Sequence, residues 1–195
     1  MEDFNVSAFL AINQYAGKND LVDAVIIGAA ELTPYLFILV LLALWFSADP
    51  GRRKSSFIAG CSVLVGLLIS YVVSLFYFHP RPFMQKLGTN LVSHAPDTSF
   101  PSDHTTFIFS IAIFLLLDGR TRKLGGVLCL LSLVGGVSRV YVGVHFPLDI
   151  LGAAAVGGGS SLFVLLLFKK TRLMQPVLDR VLKIKLPGKR PGLGS

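Results

Sequence analysis

Arg81-Pro82, then Pro101-Ser102-Asp103-His104, then Ser138-Arg139 followed by His145 and Asp149 supply two arginines, a hydroxyl, two histidines and a carboxylate. That set can bind a phosphoryl group and transfer it without a metal ion. Arg81 and Arg139 stay charged at any working pH and offer planar donor forks that match phosphate oxygens in pairs. Ser102 suits a helix N-cap, and the free N–H groups behind it, at the positive end of the helix dipole, form an anion site. Pro147 favours the first turn of a helix, so Asp149 falls in that turn, four residues beyond His145. Its carboxylate can then reach back to the ring, fix the tautomer and leave the other nitrogen free to attack phosphorus. His145 is the candidate nucleophile, and His104 the candidate acid that protonates the departing oxygen.

The elements that hold these residues are strongly apolar. Of 195 residues, 53% are hydrophobic and only 15% charged, with a mean hydropathy of +0.68. This excludes an ordinary soluble domain and predicts an all-α membrane bundle, one domain over residues 1–186 with a disordered tail over 187–195. Five spans are expected, at Leu21 to Phe46, Phe57 to Phe78, Thr105 to Leu117, Leu124 to Val140 and Leu148 to Phe168. The third is too short to cross a hydrocarbon core of about 30 Å, so its amino end should lie below the membrane surface. Asn5 to Ala16 reads as an amphipathic helix on the outer face. The amino terminus carries acid and lacks a cleavable signal pattern, so the first span is expected to act as the signal. Cys61 and Cys129 lie in apolar runs and read as small buried hydrophobes.

Charge gives orientation. Three cations follow the first span, three follow the third and eight lie from Lys169 to Arg190, whereas Lys18, Arg81, Lys86 and Arg139 alone remain for the other side. The crowded side is expected to be cytoplasmic. The basic pI near 9.7 therefore reads as topology rather than as nucleic-acid binding. A basic segment beyond Leu173 is expected to be a topology anchor or a short helix on the anionic leaflet. Within this frame Arg81, Ser102, His104, Arg139, His145 and Asp149 all reach one membrane face, which a random scatter would rarely produce.

These pieces resemble the type 2 phosphatidic acid phosphatase (PAP2) superfamily, whose pattern is K-x6-R-P, P-S-G-H and S-R-x5-H-x3-D. The third part matches in full as Ser138, Arg139, His145 and Asp149. The resemblance spans roughly Ser74 to Gly152 and implies a PAP2-like fold and a metal-free, cofactor-free, two-step mechanism through a phosphohistidine. By position, His145 is implied as nucleophile oriented by Asp149, His104 as general acid, and Arg81, Ser102 and Arg139 as phosphate ligands. Two positions depart from the pattern. Ser74 stands where the family has lysine, with Lys86 as a candidate substitute, and Asp103 stands where it has glycine. Both departures, with Arg81-Pro82-Phe83 and the run from Ser138 to His145, resemble the bacterial undecaprenyl-diphosphatase branch associated with bacitracin resistance. The implied substrate is undecaprenyl diphosphate, met from the lipid at headgroup level in the bacterial cytoplasmic membrane, with the site facing outward. Alternatives with the same chemistry are a phosphatidylglycerophosphate or other lipid phosphate phosphatase, and a lipid phosphotransferase. Oligomeric state is left open.

Other polar residues carry two readings each. Glu31, inside the first span, either approaches Arg81 or Arg139 or serves a protonated structural contact. His79 and His94 flank the motifs, either lining the entrance or simply solvated, while Asp97 and Thr98 read as turn residues. His94, Asp97, Asp103 and His104 follow no defined ligand spacing for a metal. Gly157, Gly158 and Gly159 are expected to permit close helix packing.

Overall fold

Residues 2–170 form six α-helices in a computed structural model that describes these residues and Arg180. They are α1 (Glu2–Asn13), α2 (Asp20–Trp45), α3 (Pro50–Phe76), α4 (Asp103–Leu117), α5 (Arg122–Tyr141) and α6 (Pro147–Lys170). No strand occurs among the described residues. The expected tail helix and the disordered end lie outside the described residues. Four helices, α2, α3, α5 and α6, are long and apolar enough to cross a membrane, and α4 is the short fifth. The five expected spans are all present. α3 begins at Pro50 rather than Phe57, because the Asp49 side chain caps the Gly51 amide (2.8 Å) and Pro50 takes the first helical position. Hydropathy marks only the apolar part of a helix, whereas capping chemistry sets its start.

α4 is the central helix, packed on α3, α5 and α6. Thr105, Thr106, Ile108, Phe109, Ser110, Ile111, Ala112, Phe114 and Leu115 are all buried, so most of its circumference is enclosed, as a helix that is apolar nearly all round requires. Its fifteen residues rise about 22 Å, which leaves room beyond its amino end for other residues. Close contact with α6 depends on Gly157, where a Cβ would stand 2.9 Å from the Ser110 backbone nitrogen. Gly158 is near Ile113, and Gly159 faces open space, so close packing is the role of Gly157 first. Hydroxyls join the same layer: Ser161 donates to the Ser110 carbonyl (2.8 Å), and Ser70 meets Thr106 (3.2 Å). On the perimeter Val25, Leu32, Leu39, Leu64, Leu68, Leu75 and Leu130 are exposed, forming the apolar coat of a multi-pass membrane protein.

The α2–α3 and α4–α5 turns meet at one end, where the Ser55 hydroxyl donates to Asp118 and Arg120 faces Asp49 (3.8 Å). The opposite end carries α1 and a long connection over residues 77–102. α1 does more than lie flat. Its buried residues Asn5, Phe9 and Asn13 recur every four positions on one face. Asn13 donates to the carbonyls of Thr89 (2.8 Å) and Tyr141 (2.7 Å) and accepts from the Thr89 amide (2.6 Å). Gly143 passes under this loop with φ +89°, and a Cβ there would stand 2.4 Å from the Thr89 carbonyl oxygen. Asn5 accepts from the Leu148 amide (3.0 Å), one of the donors that the first turn of α6 cannot satisfy itself. Asn5→Ala strands that amide and should cost about 1–3 kcal/mol. A lower apparent melting temperature in detergent, by several degrees, is the expected result.

Candidate active site

The site is built where four chain segments end. α4 begins at Ser102, whose hydroxyl accepts from the Thr105 amide (3.5 Å) and from the Thr105 hydroxyl (3.0 Å). The amides of Asp103 and His104 precede the first helical hydrogen bond and find no partner among the described residues. Asp103 is exposed in this first turn, where a carboxylate suits the helix dipole. α6 begins with an arrangement of the capping-box kind: the Phe146 amide donates to Asp149 Oδ2 (2.7 Å), and the Asp149 amide donates to the Phe146 carbonyl (3.1 Å). The Asp149 carboxylate is thereby fixed by the backbone next to His145.

His145 is 2% exposed, and its two nitrogens face opposite partners. Nδ1 lies 3.0 Å from the Ser99 carbonyl oxygen, 3.3 Å from the Ser99 hydroxyl and 3.5 Å from Asp149 Oδ2. Ser99 in turn donates its hydroxyl to Asp149 Oδ2. Nε2 lies 3.1 Å from Arg81 Nη1. Since a guanidinium only donates, Nε2 carries a lone pair and Nδ1 the proton. Burial, reinforced by Arg81 and Arg139, pushes the imidazole down to about 4, so the ring is neutral at ordinary pH. A neutral ring with a directed lone pair is the form that attacks phosphorus.

The two arginines differ. Arg81 is engaged on every side: Nε donates to Asp97 Oδ1 (2.8 Å), Nη1 to the Val144 carbonyl (2.9 Å) and Nη2 to the Thr98 carbonyl (3.2 Å). Asp97, 59% exposed, occupies an oxygen position on the fork that a phosphate could take. Arg139 is 2% exposed and pairs through Nη1 with Glu31 (2.9 Å), while its Nε and Nη2 are buried with no hydrogen-bond partner. Unused charged donors in a buried place are a strong demand for an anion. Glu31 thus approaches the site at Arg139 rather than Arg81. It sits about 16 Å along α2 from its start, level with the site rather than with the helix end.

His104 is half-buried one residue into α4, within electrostatic reach of Arg139, Glu31, His94 and Arg81. The six motif residues thus converge on one end of the bundle. Lys86 does not join them: it is the exposed C-cap of a 3-10 turn, Pro82–Gln85, with no ion pair among the described residues. Ser74 turns its hydroxyl back to the Tyr71 carbonyl (2.7 Å). His94 lies against His145, ring centroids 6.3 Å apart, so it lines the site. Sequence reasoning missed Ser99, and it read Asp97 only as a turn residue. Ser99 holds His145 through a carbonyl that every residue possesses and meets Asp149 through its hydroxyl only in the fold, and Asp97 is recognisable only once Arg81 is beside it. Among the described residues no three His, Cys, Asp or Glu side chains are grouped to hold a metal.

Comparison with known proteins bears on family and fold. The sequence matches the family model described as PAP2 superfamily over residues 56–173. It is 37% identical over 180 residues to undecaprenyl-diphosphatase BcrC of Bacillus subtilis, covering 92% of this chain and 91% of that protein. The fold is similar to the crystal structure of Aquifex aeolicus LpxE, with a TM-score of 0.71 and 26% identity over 83% of this chain and 94% of that one. It is also similar to a transmembrane PAP2 type phosphatidylglycerolphosphate phosphatase from Bacillus subtilis, with a TM-score of 0.67 over 88% of each chain. At 20% identity this last likeness concerns the fold alone.

Proposed function

The chain belongs to the PAP2 superfamily, and on that premise we propose that it hydrolyses undecaprenyl diphosphate to undecaprenyl phosphate and phosphate through a phosphohistidine at His145. The observation that carries the reading is the pair of contacts on His145, with Nδ1 held by Ser99 (3.0 Å) and Nε2 turned to Arg81 (3.1 Å). The terminal phosphoryl group docks with its oxygens on Arg139, the amides at the start of α4 and Arg81, displacing Asp97 from the Arg81 fork. Nε2 attacks phosphorus, the bond to the polyprenyl phosphate oxygen breaks, and His104, which enters the step as imidazolium beside the bound diphosphate, gives that oxygen its proton. In the second step His104 takes a proton from water, the water oxygen attacks phosphorus, and the P–N bond breaks. Phosphate leaves and both histidines return to their starting forms. Asp149 and Ser99 balance the positive charge that His145 gains while it is phosphorylated.

The substrate assignment draws on the Bacillus subtilis relative, whose name states that activity and whose similarity runs through nearly the whole of both chains. It is also supported by the layout, since the sunken start of α4 would meet a headgroup at the membrane surface while the prenyl chain stays in lipid. The Lys and Arg of the α2–α3 and α4–α5 turns argue that their end is cytoplasmic and the site outside, and the Bacillus subtilis relative supports a bacterial cytoplasmic membrane. Such an enzyme would recycle the cell-wall lipid carrier.

Phosphate release by the purified protein in detergent, in excess EDTA, tests the reading with undecaprenyl diphosphate and phosphatidylglycerol phosphate at equal surface concentration. Fast, EDTA-resistant release from the polyprenyl lipid alone is expected. Preference for the glycerolipid would move the function to phospholipid metabolism. Activity lost in EDTA and restored by a divalent ion would overturn the metal-free mechanism, and release that needs an added lipid acceptor would make the chain a phosphotransferase.

A further inference from the structure

The Asp149 carboxylate has a second oxygen that the mechanism above does not use. Oδ1 is buried and makes no formed hydrogen bond, and 3.4 Å away lies Nδ1 of His79, also buried and also without one. Two orphaned polar atoms facing each other in the interior are costly unless they pair, because each has left water without a replacement. The other His79 nitrogen, Nε2, lies 3.4 Å from Glu2 Oε1 at the start of α1. The ring cannot turn away. It stacks on Tyr77 (centroids 6.1 Å apart) and packs on Phe146 (5.2 Å), while its backbone is pinned by the Thr98 hydroxyl (3.0 Å) and the Ser99 amide (2.7 Å).

We propose that His79 is a positioning residue for the phosphatase reaction: it clamps the outer oxygen of Asp149, and through Nε2 it ties that carboxylate to Glu2 of α1. Nothing in the motif pattern covers this residue, and the inference rests on the assignment of His145 as nucleophile. The charged groups facing the ring are Asp149 from α6 and Glu2 from α1; Tyr77 faces it as a ring, and the remaining ring contact is apolar. With an acceptor at each nitrogen, the ring satisfies both only as imidazolium. The Asp149 carboxylate beside Nδ1 accordingly raises His79 above its ordinary value, against the opposing effect of burial, with a smaller contribution from Glu2. A pocket of about 350 Å³, lined by Glu2, Asn5, Tyr77, His79, Phe100, Leu148 and Asp149, adjoins this arrangement and gives the ring a route for proton exchange.

The sign of the pH effect follows. A histidine raised by its partners contributes its full stabilisation below about pH 6.5 and loses it as pH rises through the folded value. Turnover should therefore decline on the alkaline side as His79 loses its proton and the clamp on Asp149 slackens.

Histidine-labelled ¹⁵N NMR of the full chain in micelles tests this without any substrate, since the protein has four histidines and His79→Asn identifies the resonance. His79 is expected to titrate above about pH 6.5, and Glu2→Gln is expected to lower its midpoint by about half a unit. On whichever lipid phosphate the protein turns over, His79→Ala should lower kcat about tenfold, the scale on which supporting residues act, with KM unchanged. His79→Asn, whose amide can donate from the Nδ1 position, should restore most of that loss and remove the alkaline limb. Titration at or below about 6.5 that ignores Glu2→Gln, or parent kcat in His79→Ala, would overturn the proposal. Absence of turnover on undecaprenyl diphosphate would count against the substrate and leave the NMR result to decide the clamp.

Discussion

His145→Ala is expected to lower phosphate release by on the order of 10⁴-fold or more, with the protein still folded. The variant lacks the only nitrogen in the cluster that combines a neutral ring with a lone pair aimed at the Arg81 fork. His104 cannot take its place. It stands on α4, a helix held by α3, α5 and α6, and the proposed mechanism uses it for proton transfer. Folding should survive because Asp149 keeps the Phe146 amide and the Ser99 hydroxyl as partners when the ring is gone. Two measurements check this together. Phosphate release reads turnover, and rapid alkaline quenching of the parent enzyme with labelled diphosphate reads an acid-labile phosphoprotein that His145→Ala should lack. Turnover near the parent rate, or labelled phosphoprotein in the variant, would refute the assignment.

The second large effect belongs to Arg139. Arg139→Gln should lower kcat/KM by about 10²–10³-fold, the scale for removing a preorganised donor from developing charge. Arg139→Lys should recover little, since a lysine offers a point charge in place of a planar fork. The reason lies in what each arginine already does. Arg81 spends all its nitrogens on protein acceptors, so part of its attraction for phosphate is offset by the contacts it must give up. Arg139 has two buried donors with nothing to give up. Inhibition by inorganic phosphate supplies a check separate from chemistry: it should weaken in parallel with kcat/KM. Unchanged inhibition would mean that phosphate binds elsewhere.

Much of this protein is written locally in its sequence. The spans follow from runs of apolar residues, because a membrane core demands them, and the start of α4 follows from Ser102, because a hydroxyl before an apolar run caps a helix. The placement of Asp149 near His145 follows from Pro147, which starts a helix in a fixed relation to both. Arg81 and Arg139 stand out because charge is expensive at the edge of an apolar segment and persists there for a reason.

Tertiary structure decided the rest. The Ser99 carbonyl that orients His145 has no residue-type signature and lies 46 positions away. Asn5 serves the Leu148 amide across 143 positions, although in sequence it is one polar residue in a weakly apolar helix. Glu31 and Arg139 were each visible, but their pairing depended on α2 and α5 packing together. His79 was legible only as a loop histidine until the fold set it against the unused oxygen of Asp149. Sequence determines what a residue can do within its own turn of helix; which buried donor meets which acceptor is settled only when distant segments close over one another and shut water out.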